Sequence, residues 1–189
     1  MFKKLKDGIN KIKYTLFEDN RIALIKLEGV ILDSGYLPGA SKIIESLKET
    51  KKLGIKTIVL RINSPGGTVG ASQEIYTEIK KLQKDGTKVI VSLGDVAASG
   101  GLYVAVAGDK IVSNPGTVTG SIGVIIKSSV IKDLYKKIGI EHQIVKSGPY
   151  KDILSQTRFF TEEEKQILQE LIDSTYNQFI KTIAENRNI

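Results

Sequence analysis

Three apolar runs that each lead into a turn and a helix-like segment constrain this chain most. "RIALIKLEGVI" (21–31) alternates apolar and polar residues as a half-buried strand does, and "SKIIESLKETKKLG" (41–54) reads as a helix ended by Gly54. "IKTIVLRI" (55–62) is strand-like and enters the turn "NSPGG" (63–67). An amphipathic helix follows, with Val69, Ser72, Ile75, Tyr76, Ile79 and Leu82 along one side. "TKVIVSL" (87–93) is a further strand, succeeded by "GDVAASGG" and a short helix of small residues. Repetition of this kind predicts a layered α/β domain with right-handed crossovers.

Downstream, "KIVSN" (110–114), "GVIIK" (123–127) and "IEHQIVK" (140–146) read as strands, and "SSVIKDLYKKIG" (128–139) as a helix. The last element carries the clearest start signal, a T-x-x-E capping box of Thr161 and Glu164. Ile167, Leu168, Leu171, Ile172, Tyr176, Phe179, Ile180 and Ile183 mark the apolar face of the long helix that follows.

A length of 189 residues suits one domain, and 41% hydrophobic with 26% charged residues is an ordinary globular balance. The absence of Cys excludes disulfides and thiol catalysis, and a single histidine, His142, cannot build a histidine metal cluster. The net charge of +7 invites a nucleic-acid reading, but the first 13 residues hold Lys3, Lys4, Lys6, Lys11 and Lys13 against Asp7 alone. The body is close to balanced and has no basic stripe interleaved with aromatics, which argues against nucleic acid. No apolar stretch approaches the ~20 residues of a membrane span, and the start carries no signal-peptide apolar region. Instead Phe2, Leu5, Ile9, Ile12 and Leu16 recur at spacings of three and four. If helical, residues 2–16 form a basic amphipathic element suited to peripheral membrane contact or docking; the plainer reading is a solvated leader with one stripe on the domain.

In an α/β sheet, sites form where strands end and helices begin. Two such junctions stand out, "NSPGG" after residues 55–62 and "GDVAASGG" after residues 87–93. Gly66 and Gly67 permit backbone geometries closed to other residues, and N–H groups exposed at a helix start are what a developing oxyanion needs. Ser99 lies between small residues near the second helix start, uncrowded as a nucleophile must be. Each turn also reads as a plain strand-to-helix connection, and "AASGG" has Ala97 where the G-x-S-x-G elbow has glycine.

A serine nucleophile needs a base. His142 sits mid-run in "IEHQIVK" and reads as structural. Lysine is the alternative: with a reference pKa near 10.4, about one part in a thousand is neutral near pH 7.4, and burial can raise that fraction. Lys151, in the Gly/Pro-shaped "SGPYKDILS" (147–155), is the candidate, with Asp152 next to it as a group that would favour the charged form if close.

Together, "INSPGGTV" (62–69), "DVAASGGLYVA" (95–105), "GTVTGSIGV" (116–124) and "KSGPYKDILS" (146–155) resemble the signal peptide peptidase SppA family, in that family's order from about residue 22 onward. The resemblance implies a Clp-protease/crotonase-like α/β fold of repeated β-β-α units with a long C-terminal helix, over residues 21–189 after a leader of residues 1–20. It implies a serine–lysine endopeptidase, with Ser99 as nucleophile, Lys151 as general base, Ser121 bonded to that lysine, and Gly66 and Gly100 as oxyanion donors. Small neighbours would then clear the approach of a peptide carbonyl to Ser99.

The family usually has an N-terminal membrane anchor and a segment beyond the long helix, and this sequence stops at "AENRNI". Resemblance further implies apolar peptide segments such as remnant signal peptides as substrate, a homo-oligomeric ring sharing Ser and Lys between subunits, and membrane association, with a cytoplasmic location as the alternative. No motif calls for a metal, nucleotide or organic cofactor, and "NSPGG" lacks a phosphate-loop layout. Competing readings are a crotonase-like acyl-CoA enzyme, which leaves Ser99 and Lys151 unexplained, and a non-catalytic assembly module. A Clp-type peptidase would want a histidine roughly two dozen residues after the serine, and none stands there.

Overall fold

The structure is a computed structural model that describes residues 13–17, 20–33 and 39–187. It forms two compact units, Met1–Ile122 with Ile180–Ile189, and Gly123–Phe179.

The first unit is built on a sheet of strands β1 (Lys13–Phe17), β2 (Asn20–Glu28), β3 (Thr57–Ser64), β4 (Lys88–Ala98) and β5 (Lys110–Val112), in that order across the sheet. β1 is antiparallel to β2, the rest run parallel, and β6 (Val118–Gly120) pairs with the far end of β4. Helices α1 (Ala40–Lys52) and α2 (Val69–Lys84) supply the crossovers, and α3 (Gly100–Ala105) follows β4.

Alternation in the strands decides which face is covered. Ala23, Ile25 and Leu27 of β2, Ile58, Leu60 and Ile62 of β3, and Val89, Val91 and Leu93 of β4 are all buried. Leu47 of α1 and Ile75, Ile79 and Leu82 of α2 close over them, so helix period and strand period meet in one core. On the opposite face Arg61 is half-buried and donates to Ser92 Oγ at 2.9 Å and to the Leu93 carbonyl at 2.6 Å.

Three differences from the sequence reading stand out. Residues 13–17 are a strand, so any helix in the leader stops before Lys13, and residues 1–12 lie outside the described residues. Residues 123–127 and 140–146 are not strands: Ile125 is 80% exposed and Val145 fully so, and alternation without a neighbouring ladder does not make a sheet. Conversely, β6 is hidden inside a turn-rich stretch, because what creates it is pairing with β4 rather than its own apolar content.

The second unit holds α4 (Lys132–Lys137), a chain of tight turns over 147–154, and the first part of α5 (Glu162–Arg187). The Thr161/Glu164 capping box forms in full. The Glu164 N–H donates to Thr161 Oγ1 at 3.2 Å, and Glu164 Oε2 accepts the Thr161 N–H at 2.9 Å. Within the first unit, the end of α5 is clipped by polar groups, Asn186 Nδ2 donating to Tyr76 Oη at 2.8 Å and Lys80 Nζ to Asn186 Oδ1 at 2.9 Å.

Between the Ile62↔Leu93 and Ser64↔Ala97 pairs, β3 advances two residues and β4 four. Asn63 fills the resulting bulge, its Oδ1 accepting the Val96 N–H at 3.0 Å, and a Cβ on Gly94 would strike the Asn63 side chain at 2.8 Å. Asn63→Ala leaves that N–H without its acceptor and should cost about 1–3 kcal/mol in urea unfolding followed by circular dichroism.

Candidate active site

The bulge decides where β4 ends and therefore where Ser99 stands. Beyond it, β6 fastens the strand: Thr119 Oγ1 donates to the Ala97 carbonyl at 2.7 Å, and the Ser99 N–H donates to the Gly120 carbonyl at 2.9 Å. Ser99 then turns abruptly into α3 with φ 50 and ψ −120. Among the described residues, two non-glycine positions have positive φ: Ser99 and Ser121, at φ 53. Such backbone costs of order 1–3 kcal/mol and persists only where the surroundings force it, most often at functional sites. Here an elbow forms without the first glycine of the usual motif, because β6 on one side and the "NSPGG" turn on the other hold the chain.

That turn sits directly against the elbow. A Cβ on Gly66 (φ 103) would lie 2.7 Å from Gly100 N, 2.8 Å from Ser99 Cβ and 2.9 Å from the Ala98 carbonyl. A Cβ on Gly67 would overlap the Ile31 carbonyl, one on Gly100 the Ser72 hydroxyl, and one on Gly101 would come 2.8 Å from the Ser64 carbonyl. The glycines are thus required by the close approach of two backbones as well as by turn geometry.

Ser99 is half-buried, makes no side-chain cap to α3, and its hydroxyl has no hydrogen-bond partner among the described residues. The N–H groups beside it divide into engaged and free. Gly66, expected as a donor, turns its N–H onto Ser64 Oγ at 3.1 Å. Gly67 and Gly100 have no N–H acceptor among the described residues, and Gly67 N would lie 3.2 Å from a Cβ on Gly100. The Gly66 N–H is thus engaged in this structure, while the N–H groups of Gly67 and Gly100 are without an acceptor among the described residues. α3 has only six residues, too short for a helix macrodipole to matter much, so any anion there would depend on these local N–H groups.

Ser121 follows directly on Gly120, whose carbonyl accepts the Ser99 N–H, so the second positive-φ serine is one residue from the elbow's backbone anchor. Lys151 belongs to the second unit, where it is exposed in the 147–154 turns with its N–H directed at the Gly148 carbonyl, 3.4 Å away. Its neighbour Asp152 is engaged elsewhere, accepting from Lys146 Nζ at 2.6 Å and from Arg158 Nη2 and Nε at 2.8 and 3.1 Å. His142 is exposed and packs edge-on against Tyr135, with ring centroids 4.4 Å apart. Among the described residues no cluster of His, Cys, Asp or Glu has the makings of a metal site.

Arg158 carries no signal in the sequence. It sits six residues from both Asp152 and Glu164, in a turn-rich stretch outside any helix or strand, and bridges the two. Its pull lowers the Asp152 carboxyl well below the usual carboxylate range, with Lys146 adding to it. Arg158, with the Thr161 N–H, brings Glu164 down to about 2.

Two solved structures share the fold. A ClpP1 point mutant from Listeria monocytogenes matches with a TM-score of 0.55 at 20% identity, over 86% of this chain and 71% of that one. A mutant of the 1510-N membrane-bound stomatin-specific protease matches with a TM-score of 0.53 at 18% identity, over 86% and 61%. The layered α/β architecture is therefore that of Clp-like proteases, and a Clp protease profile also matches residues 31–117.

The profile of peptidase family S49 matches residues 81–189, and the chain belongs to that family. The slr0021 protein of Synechocystis sp., a putative protease, is 45% identical over 169 residues, 89% of this chain and 59% of its own length. Protease 4 of Salmonella typhi is 36% identical over 88% of this chain and 27% of its own, and the chloroplastic serine protease SPPA of Arabidopsis thaliana 36% over 88% and 25%. The chain thus spans less than two thirds of the length of these relatives.

Because the Glu164 carboxyl sits at about 2, below its ordinary 4.5, it stabilises the fold above pH 4.5 and loses that contribution as pH falls toward 2. Glu164→Gln should be less stable than the native chain at pH 7, with a shallower loss between pH 5 and pH 2. Urea unfolding at a series of pH values checks this; an equally steep acid loss in the variant would contradict it.

Proposed function

We propose that the chain is a serine endopeptidase that acts through an acyl-enzyme on Ser99, with Lys151 as general base. The observation that carries this reading is the strained Ser99 elbow, pressed against two glycine turns whose Gly67 and Gly100 N–H groups have no acceptor among the described residues. Membership of peptidase family S49 agrees with it.

In the proposed reaction neutral Lys151 Nζ takes the Ser99 hydroxyl proton as Oγ bonds to the peptide carbonyl carbon. The carbonyl oxygen becomes an oxyanion facing the Gly67 and Gly100 N–H groups, and Gly66 provides the close backbone approach. Collapse breaks the C–N bond, and the lysine ammonium gives its proton to the leaving amine. Water, deprotonated by the same lysine, then releases the acyl group. Ser121 is the proposed hydrogen-bond partner of the lysine.

Extended, apolar peptide segments such as remnant signal peptides are the proposed substrate class, bound as an added strand. A homo-oligomer is the proposed working form. In Gly123–Phe179 only Glu164 and Phe179 are buried, while Ile125, Ile138, Ile140, Ile144 and Val145 are exposed, which favours cover by further copies. Membrane association is proposed from the family resemblance; no described helix is long and apolar enough to cross a membrane.

A serine-directed phosphonate should add covalently to Ser99, as read by intact mass and peptide mapping. Ser99→Ala should abolish the adduct, and Lys151→Ala should slow it by about 10²–10⁴-fold. An adduct that persists in Ser99→Ala, or a native protein that never labels, would contradict the proposal and favour an assembly module.

A further inference from the structure

An anion next to a catalytic lysine is a problem the sequence poses. The base has to be neutral when it takes the Ser99 proton, and a free carboxylate on the adjacent residue would hold it as the ammonium form. In the structure that carboxylate is bonded to two other cations. Asp152 Oδ1 accepts from Lys146 Nζ at 2.6 Å and from Arg158 Nη2 at 2.8 Å, and Oδ2 accepts from Arg158 Nε at 3.1 Å.

Arg158 is fixed on its other side. Nη1 donates to Glu164 Oε2 at 2.7 Å and to the Phe159 carbonyl at 3.1 Å, and Nη2 reaches Glu164 Oε1 at 2.5 Å. Glu164 is 1% exposed and is itself locked into the capping box at the start of α5. The planar guanidinium therefore bridges two carboxylates, one on the residue after Lys151 and one on a helix terminus, with one further bond to the Phe159 carbonyl. Lys146 completes the enclosure, its Nζ also donating to the Pro149 carbonyl at 2.9 Å. Among the described residues the charged groups facing Asp152 are Lys146, Arg158 and, across Arg158, Glu164.

We infer that Arg158 is a positioning residue for the proposed base, drawing the Asp152 carboxylate away from Lys151 so that the lysine can lose its proton. The inference rests on the serine–lysine reading above. A merely structural staple would use the same bonds to hold the 147–154 turns, with no consequence for protonation. The two roles separate in the pH dependence of Ser99 acylation, since only the electrostatic role is undone by neutralising Asp152.

The test is the rate of phosphonate labelling of Ser99 between pH 5 and pH 10 in the native protein, Arg158→Gln, Arg158→Lys, Asp152→Asn and the Arg158→Gln/Asp152→Asn pair. Native labelling that is absent, or unchanged by Lys151→Ala, sinks the dyad reading itself and the inference with it. Given a lysine-dependent native rate, Arg158→Gln should move the acid limb upward by about one pH unit and slow labelling near neutral pH by about tenfold, as expected of one uncompensated charge nearby. Adding Asp152→Asn should return the limb to the native position or below it. Arg158→Lys, a single point charge, should fall between native and Gln. Asp152→Asn alone should keep its limb at or below the native pH. That variant also decides the matter if Arg158→Gln does not fold. An unmoved limb in a folded Arg158→Gln, a double variant as shifted as the single one, or an Asp152→Asn limb moved upward would each overturn the inference.

Discussion

Everything at the site depends on two backbones lying closer together than side chains allow. The "NSPGG" turn after β3 and the "AASGG" turn after β4 meet at Gly66, Gly67, Gly100 and Gly101, and a Cβ at any of them would enter a neighbour's backbone or hydroxyl. That approach is made possible by the bulge in β4, which Asn63 fills, and by β6, which takes the Ser99 N–H. The outcome is a serine at φ 50, held strained by contacts on both sides, beside N–H groups with no acceptor among the described residues. The core of β2, β3, β4, α1 and α2 pins the strand ends, and the strand ends pin the elbow.

The second unit uses a different device. Its turns at 147–154 have little apolar burial to fix them, and charge holds them instead, through Lys146, Asp152, Arg158 and Glu164. Isolated surface pairs of this kind contribute little, whereas a network anchored on a buried carboxylate with bidentate geometry orders the chain more strongly. The anchor is Glu164, which serves the helix cap and the arginine at once.

Much of this was legible in the sequence, and for identifiable reasons. β2, β3, β4, α1 and α2 were readable because burial on one face imprints a period of two or 3.6 on the residues. The capping box at Thr161 and Glu164 was readable because its chemistry is local. Ser99, Ser121 and the glycine turns stood out as motifs, although their mutual contact is a tertiary fact. What escaped was whatever depends on a contact that leaves no period in the sequence. β6 exists through β4, Gly66 lends its N–H to Ser64, and Arg158 joins two carboxylates from a turn that belongs to no helix or strand. Residues 123–127 and 140–146 mislead in the opposite sense, their alternation being unsupported by any ladder.

In the proposed reaction Ser99 attacks a carbonyl whose oxygen is received by the Gly67 and Gly100 N–H groups. A crystal structure of the protein bound to a peptide aldehyde tests this most directly, because the tetrahedral adduct places an oxygen where the oxyanion forms. The expected result is a covalent bond from Ser99 Oγ, with that oxygen about 2.7–3.1 Å from both backbone nitrogens. An adduct on another residue, or an oxygen directed at Gly66 or away from all three glycines, would contradict it.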